Sequence, residues 1–462
     1  MATDTASTGR FGRGIAAVIA VLGLWLSATA AVIVFDAFAN SRAAQDQDNY
    51  HLMAVRTFAA ELPRADLRDY RSATTPGYHL ALAEVSRFVS DEPRVLRSCG
   101  AAFTLGMLGL LVVLGVRRAG GVSTGALVLP LACSLYVFSA GAWILPDNAG
   151  WLGVLAVLAI AMFRVPTAPL IFGAGVVLLL LVLCRQIHLW AAGVVWLWAF
   201  LGGPGENPEA RTRVRRLGMA LVASVPAFAA VGAFWQLWHG PVPPLFQGGV
   251  HDPVVGKTSP KNSGGNPATP AFLLMLFGAY GVFFLGFLRE GLRRVRAGQT
   301  LAVAAVAVGM IAGLVLALVP ETTFNADAGR YTGFWALVPR LPVVGGRSLF
   351  LAGGAAVGGA IVGLCLASLR RREALIVLAG VLGFMAAQST AFAAWQRYME
   401  PLVLIVLALV AIAAGECAED VPSERGLFRA LGRWRALGPV ALGLMLAAIT
   451  VASLRAGSAG IG

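Results

Sequence analysis

Apolar residues arrive along this chain in blocks rather than in stripes. Thirteen runs carry few or no charges: Ile15–Phe35, Ala101–Val116, Val122–Phe138, Ala149–Phe163, Leu170–Cys184, Leu189–Leu201, Leu217–Phe234, Ala271–Leu288, Leu301–Val319, Leu349–Leu369, Ala374–Phe392, Leu402–Ala414 and Val440–Leu454. A helix of roughly 20 apolar residues spans a bilayer, and a helix apolar on every side belongs inside protein or lipid. The pattern predicts an all-α polytopic membrane protein with about 11–13 transmembrane helices, one integral membrane domain over residues 1–462. Leu170–Cys184 and Leu189–Leu201 fit either two short spans or one bent, re-entrant hairpin. The first run follows Arg10 and Arg13 as a signal peptide would. It outlasts the roughly 7–15 residues of a signal core and offers no convincing small-x-small cleavage site, which predicts a retained anchor.

Composition agrees. The 462 residues are 58% hydrophobic and 13% charged, with a mean hydropathy of +0.76. Soluble domains hold about 45–50% apolar and about 25% charged residues, so an ordinary cytosolic domain, a disordered chain and a nucleic-acid-binding protein are all excluded. The net charge of +13 is an effect of topology. With the N-terminus inside, the loops holding Arg117/Arg118, Arg164, Arg211–Arg216, Arg289–Arg296, Arg370–Arg372 and Arg425–Arg435 all become cytoplasmic, as the positive-inside rule requires. The five cysteines form no CxxC or Cys/His cluster, so neither a disulfide framework nor a zinc site is expected.

The opposite face carries loops of another kind: 36–97, 236–270 and 321–347, with shorter stretches at Arg185–His188 and Gln388–Tyr398. Long Gly- and Pro-bearing loops over a rigid bundle are where function concentrates. In the first, Asp46-Gln47-Asp48-Asn49-Tyr50-His51 precedes Leu52, Val55, Ala59 and Leu62 at helical spacing, which predicts a helix on the membrane surface starting just after the aspartates. Each aspartate serves equally as a helix cap; two carboxylates, an Asn and a His at the lip of an apolar bundle favour a site. Tyr70 to His79 contains Thr74, Thr75 and Tyr78 around Pro76-Gly77, a turn whose hydroxyls can also meet phosphate or sugar. Arg185, beside Gln186, suits either snorkelling at the membrane border or the oxygens of a lipid phosphate. Trp238-His239-Gly240 is followed by His251 and Asp252. These two could ligate a metal but lack a third ligand at recognisable spacing, and a solvated loop is the simpler account. Asp327, Arg330 and Tyr331 mix acid, base and aromatic; Arg397 and Tyr398 open a late helix. Arg185, Arg330 and Arg397 together form a ring of cations on the face where charge bias predicts none.

In this order the islands resemble the dolichyl-phosphate-glucose alpha-1,2-glucosyltransferase family, of the GT-C class of polytopic glycosyltransferases. Asp48-Asn49-Tyr50-His51 is similar to its acidic pair with aromatic-His, and Thr74-Thr75-Pro76-Gly77-Tyr78 to its Thr-Thr-Pro-Pro-Gly. Arg185-Gln186-Ile187-His188 resembles its Arg-Gln-Thr-Asn, Trp238-His239-Gly240 its Trp-Asn-Gly, Ala326 to Thr332 its Ala-Asp-Asn-Arg-His-Tyr-Thr, and Arg397-Tyr398-Met399 its Arg-Tyr-Phe. The likeness departs where one acid of the pair is Gln47, with Asp46 just upstream, where the Thr-Asn is lost, and where the later arginine moves one place to Arg330.

The resemblance implies a GT-C-like bundle whose first loop carries amphipathic surface helices and the catalytic groups. It implies a bacterial relative in the plasma membrane, moving a hexose, by family habit glucose, from a polyprenyl-phosphate donor to an extracytoplasmic glycan or lipid-linked acceptor with inversion. The general base would be Asp48, with Asp46 second, and Arg330, Arg397 and Arg185 would bind the donor phosphate. His51, Thr74, Thr75, Tyr78, Gln186, Trp238, His239, Asp327, Tyr331 and Tyr398 would line the substrate site. No metal or other cofactor is expected, since arginines can neutralise a single leaving phosphate. The alternatives are a multi-helix transporter or lipid flippase, which would favour polar groups at mid-membrane and a repeat, and a non-catalytic scaffold, which would not require the acidic cluster.

Overall fold

A computed structural model describes residues 5–249, 251–252, 256–258, 264–323, 333–392, 394–417, 431–432 and 435–459. The chain is an all-α polytopic membrane protein. After α1 (Thr5–Phe35), the first loop folds into α2 (Arg42–Asp46), a π-helical turn (Gln47–His51), α3 (Leu52–Glu61) and α4 (Gly77–Phe88). Then come α5 (Pro93–Arg118), α6 (Gly121–Cys133), α7 (Leu135–Ala142), α8 (Asp147–Phe163), α9 (Ala168–Cys184), a 3-10 turn (Gln186–Trp190), α10 (Ala191–Leu201) and α11 (Ala210–Trp238). The rest comprises α12 (Thr269–Gly281), α13 (Arg289–Arg296), α14 (Thr300–Leu318), α15 (Leu349–Ser368), α16 (Arg371–Ser389), α17 (Glu400–Cys417) and α18 (Leu437–Ala459). Strands are limited, among the described residues, to two antiparallel pairs, β1 (His251–Asp252) with β2 (Lys257–Thr258) and β3 (Val343–Val344) with β4 (Arg347–Ser348).

Each of the thirteen apolar runs falls on a helix or a bent helix pair. Among the described residues eight helices are long and apolar enough to cross a membrane, two bent pairs bring the number to 10, and α8, α9 and α10 are shorter. The segments Leu170–Cys184 and Leu189–Leu201 are separate helices: α9 lies between α8 and α11, while α10 packs on α11 and α16. The bend of 72° between α6 and α7 has a local cause. Pro130 removes a helical donor, and extended Ser134 stops one helix and caps the next by accepting from the Val137 amide.

Helix α17 is the axle. Within its span 89% of residues are buried, against 17% for α14 at the periphery, and its all-round Leu, Val, Ile and Ala surface meets α5, α6, α8, α12 and α15. On one flank α15 is squeezed between α12 and α14 through glycines. A Cβ on Gly358 would strike the Leu274 carbonyl, and one on Gly309 the Gly359 carbonyl. Small residues permit such backbone approach inside membranes, where packing rather than hydrophobic exclusion drives association. The far end of the bundle is stitched by arginines. Arg372 at the start of α16 donates to the carbonyls of Ala161, Met162 and Gly202, and so satisfies the ends of α8 and α10.

Gly358→Val should therefore cost about 1–3 kcal/mol or more, as overpacking does, because backbone and not a flexible side chain stands in the way. Gly353→Ala, with nothing within 4 Å, should be silent. Thermal unfolding in detergent of the two variants checks this; equal midpoints would contradict it.

Candidate functional site

The helical path of the first loop starts earlier than its apolar stripe implies. Ser41 caps it by accepting from the Ala44 amide at 3.3 Å, so neither aspartate is the cap and the helix begins before them, not after. The following five residues adopt a π turn, a local widening often found at functional sites. Gln47, its first residue and fully buried, accepts from Arg97 Nε at 2.9 Å and from the Ile144 amide at 3.1 Å. Arg97 also pairs with Asp36 at 2.6 Å. This clamp fixes the loop to α5 and to the connection between α7 and α8, beside Asp46.

Asp46 meets Arg397 at 2.7 Å. Arg397 also lies 4.0 Å from Asp147, and Asp147, the first residue of α8, is hydrogen-bonded by Arg185 at the end of α9. The Tyr398 ring sits between the two guanidiniums, 4.7 Å from Arg185 and 5.0 Å from Arg397, and Trp395 covers Arg397 at 5.5 Å. Four charges from the first loop, α8, the α9 end and the approach to α17 thus form one chain, Asp46–Arg397–Asp147–Arg185. Asp147 is almost wholly buried, at 8% side-chain exposure. Buried charges persist only when paired, and here each acid has a guanidinium.

Two cavities flank this chain. One, of about 390 Å³, is bounded by Asp46, Asp147, Arg397, Arg42, Tyr136, Ser139 and Trp151, with Ser453 and Leu454 of α18 on its outer side. The other, of about 1280 Å³, lies between α11 and α16 and is walled by Trp190, Trp196, Phe228, Trp235 and Trp238, with Arg185, Gln186, Thr74 and Tyr398 at its polar end. Phe228 and Trp235 on its α11 rim are also exposed on the bundle's outer surface.

The predicted residues are distributed unevenly. Asp46, Arg185, Arg397 and Tyr398 come together. Asp48 does not: it is exposed and accepts from its neighbour Gln47 at 2.8 Å, because the π turn rotates it off the inward face, so Asp46 takes its place as the carboxylate at the cavity. Gln186 lies at the large cavity and ties three segments together, bonding to Thr75, Ala73 and Pro241. Thr75 is fully buried and donates to the Val182 carbonyl at 2.6 Å; Tyr78 is equally buried in an apolar cluster with Leu52 and Leu82. Both are packing residues rather than substrate contacts. Trp238 lines the large cavity but commits its indole N–H to the Leu67 carbonyl. His239 ends α11 in a left-handed conformation at φ 54°, exposed and outside both cavities. Asp327, Arg330 and Tyr331 lie outside the described residues. His251 and Asp252 form backbone strand β1, and among the described residues no group of three His, Cys, Asp or Glu is placed to hold a metal ion.

Asp147, Arg42 and the Gln47–Arg97 clamp escaped the sequence reading. Pro146-Asp147-Asn148 directly before an apolar run was the available signal for Asp147: an acid at the mouth of a span needs a partner. No family model, no curated protein and no solved structure matches this chain.

His51 is buried behind Asp46, its Nδ1 2.9 Å from His79 Nε2. Burial, with Arg397 and Arg185 adding and Asp147 opposing, lowers His51 to about 3, and burial drives His79 down as well. Unfolded histidine takes a proton near 6.5, so acidification loads protons onto the unfolded chain alone. Stability should be full above pH 6.5 and fall below it, on the order of 1 kcal/mol per histidine per pH unit. Unfolding midpoints at pH 7.5 and 5.5 test this: His51→Gln should lose less than the parent, and an equal loss would refute the assignment.

Proposed function

We propose that this protein is a membrane glycosyltransferase of GT-C type, which moves a hexose from a polyprenyl-phosphate donor to a glycan or lipid-linked acceptor on the extracytoplasmic side of a bacterial plasma membrane. The observation that carries the proposal is the meeting of Asp46, Asp147, Arg185 and Arg397 between a large apolar cavity and a smaller one that holds the carboxylates. The larger cavity suits a prenyl tail entering between α11 and α16, with its phosphate at Arg185 and Arg397. The smaller one, with its carboxylates, suits the reacting hydroxyl. The dense arginine clusters belong to the loops at the other end of the helices, which supports a cytoplasmic N-terminus and an outward-facing site.

In this scheme an arriving phosphate draws Arg397 away from Asp46. The freed carboxylate takes the proton of the acceptor hydroxyl as that oxygen attacks the anomeric carbon. The bond from the anomeric carbon to the phosphate oxygen breaks, and the guanidiniums stabilise the charge that grows on the leaving phosphate. Tyr398 keeps the two cations at a fixed spacing. Asp147, held by Arg185, serves as a fixed negative charge near a carbon with oxocarbenium character.

Two observations speak for the transporter reading, the bent α6–α7 pair and a buried acid, Glu400, at the head of α17. Transfer and transport are separable in one preparation. Membranes given polyprenyl-phosphate [14C]glucose should pass label to a lipid or glycan acceptor. Asp46→Asn should lower that transfer by about 100-fold or more, within the range of a lost general base, while Asp48→Asn stays near the parent rate. Solute uptake into vesicles without any transfer would decide for a transporter, and full activity of Asp46→Asn would remove it as the base.

A further inference from the structure

Directly below Arg397 lies a polar network that the proposed chemistry does not use. Glu400 is 2% exposed and Gln396 5%. The Glu400 carboxylate accepts from Ser134 Oγ of the α6–α7 bend, from Tyr280 Oη of α12 at 2.6 Å and from Gln396 Nε2 at 2.6 Å. Gln396 Nε2 also approaches Tyr280 Oη at 2.9 Å, and its Oε1 accepts the Phe334 amide at 2.8 Å. Three transmembrane elements and the middle of the 321–347 loop, at its 3-10 turn Gly333–Leu337, are thereby tied to two side chains, one on each side of Arg397. The tie leaves no slack: Gly333 has φ +58°, and a Cβ there would collide with Gln396 Oε1. The acid has neutral donors, not a cation, as its hydrogen-bond partners. Burying it is costly, and packing alone would be served better by an apolar residue. Arg397, by contrast, is the one group of the charge chain that reaches two carboxylates, and a guanidinium meets an anion well only when its plane is fixed.

We propose that Glu400 and Gln396 are positioning residues for Arg397: the network seats the 3-10 turn of Gln396–Tyr398 on the bundle and holds the guanidinium at the junction of the two cavities, and it pins the 321–347 loop at Phe334 to the same seat. The assignment rests on the glycosyltransferase reading for the identity of the anion that Arg397 meets. It does not need Glu400 to touch substrate.

The test is a cycle read by binding of undecaprenyl phosphate to the purified full-length protein, with thermal midpoints recorded in parallel. Gln396→Leu should weaken binding about tenfold, and Arg397→Lys by at least as much. The double variant should bind no worse than Arg397→Lys alone, within a factor of about two, because the seat acts only through the arginine. Gln396→Glu, which keeps the acceptor for the Phe334 amide but sets an acid against Glu400, should fall with Gln396→Leu. Tyr280→Phe, which removes one hydroxyl and keeps the shape, should show a smaller loss in the same direction, and it keeps the proposal testable should the Leu variant fail to fold. Losses that multiply in the double variant, or unchanged binding in a folded Gln396→Leu and Tyr280→Phe, would overturn the assignment and leave the glycosyltransferase reading standing. A parent protein that ignores undecaprenyl phosphate would sink both.

Discussion

Everything at this end of the bundle depends on keeping four charges in an apolar setting. A carboxylate with little solvent survives only beside a cation, and removing one member of a buried pair costs about 3–5 kcal/mol. Asp147 and Arg185 satisfy each other across the α8–α9 junction, and Arg397 then divides itself between Asp147 and Asp46. Within this chain of charges two acids face two bases, and Arg42 adds a further cation at the wall of the smaller cavity. The backbone around them follows from that need. α8 starts at Asp147 and α9 stops before Arg185 in an extended conformation, and the π turn brings Asp46 rather than Asp48 inward.

The hydrophobic blocks told nearly the whole architecture, because a membrane helix must satisfy its own backbone and needs a run of apolar residues to do so. Even the two short runs at Leu170–Cys184 and Leu189–Leu201 are separate helices. The site was legible only in part. Arg185 and Arg397 stood out as cations on the wrong side of the charge bias, and both reached the centre. The sequence put Asp48 ahead of Asp46 as the base, whereas the fold brings Asp46 to the cavity, a choice that turns on a π turn that periodicity does not encode. Asp147 was hidden because an acid at a helix start is ordinarily a cap and its partners lie 38 and 250 residues away in sequence. Thr75 and Tyr78 misled for the opposite reason: polar atoms in a loop suggest ligands, whereas here burial turned them to packing.

Gln47 also changes meaning. Against the family it resembles, it is a departure, an amide where an acid is expected. In the fold it is the residue that receives both Arg97 and the Ile144 amide through one oxygen. Its amide nitrogen then faces Asp48, so the side chain needs a donor and an acceptor at once. A carboxylate in its place would lack the donor and add a charge to a wholly buried position. In this fold Gln47 serves as the clamp, and its neighbour Asp46 supplies the carboxylate at the cavity.

In the proposed glycosyltransferase reading, the pairing of Asp46 with Arg397 has a chemical consequence. An unpaired carboxylate beside a leaving phosphate would repel it, and an unpaired guanidinium would hold any passing anion. Pairing Asp46 with Arg397 quenches both until something able to compete arrives. A phosphate meets that condition, since it can accept from two arginines at once and is flanked by the Tyr398 ring that already holds them apart. A neutral hydroxyl alone does not, so an acceptor entering the smaller cavity first finds Asp46 engaged. Donor binding and base activation are then one event. In that reading Arg397, exchanging a carboxylate of the first loop for the donor phosphate, would couple the two cavities.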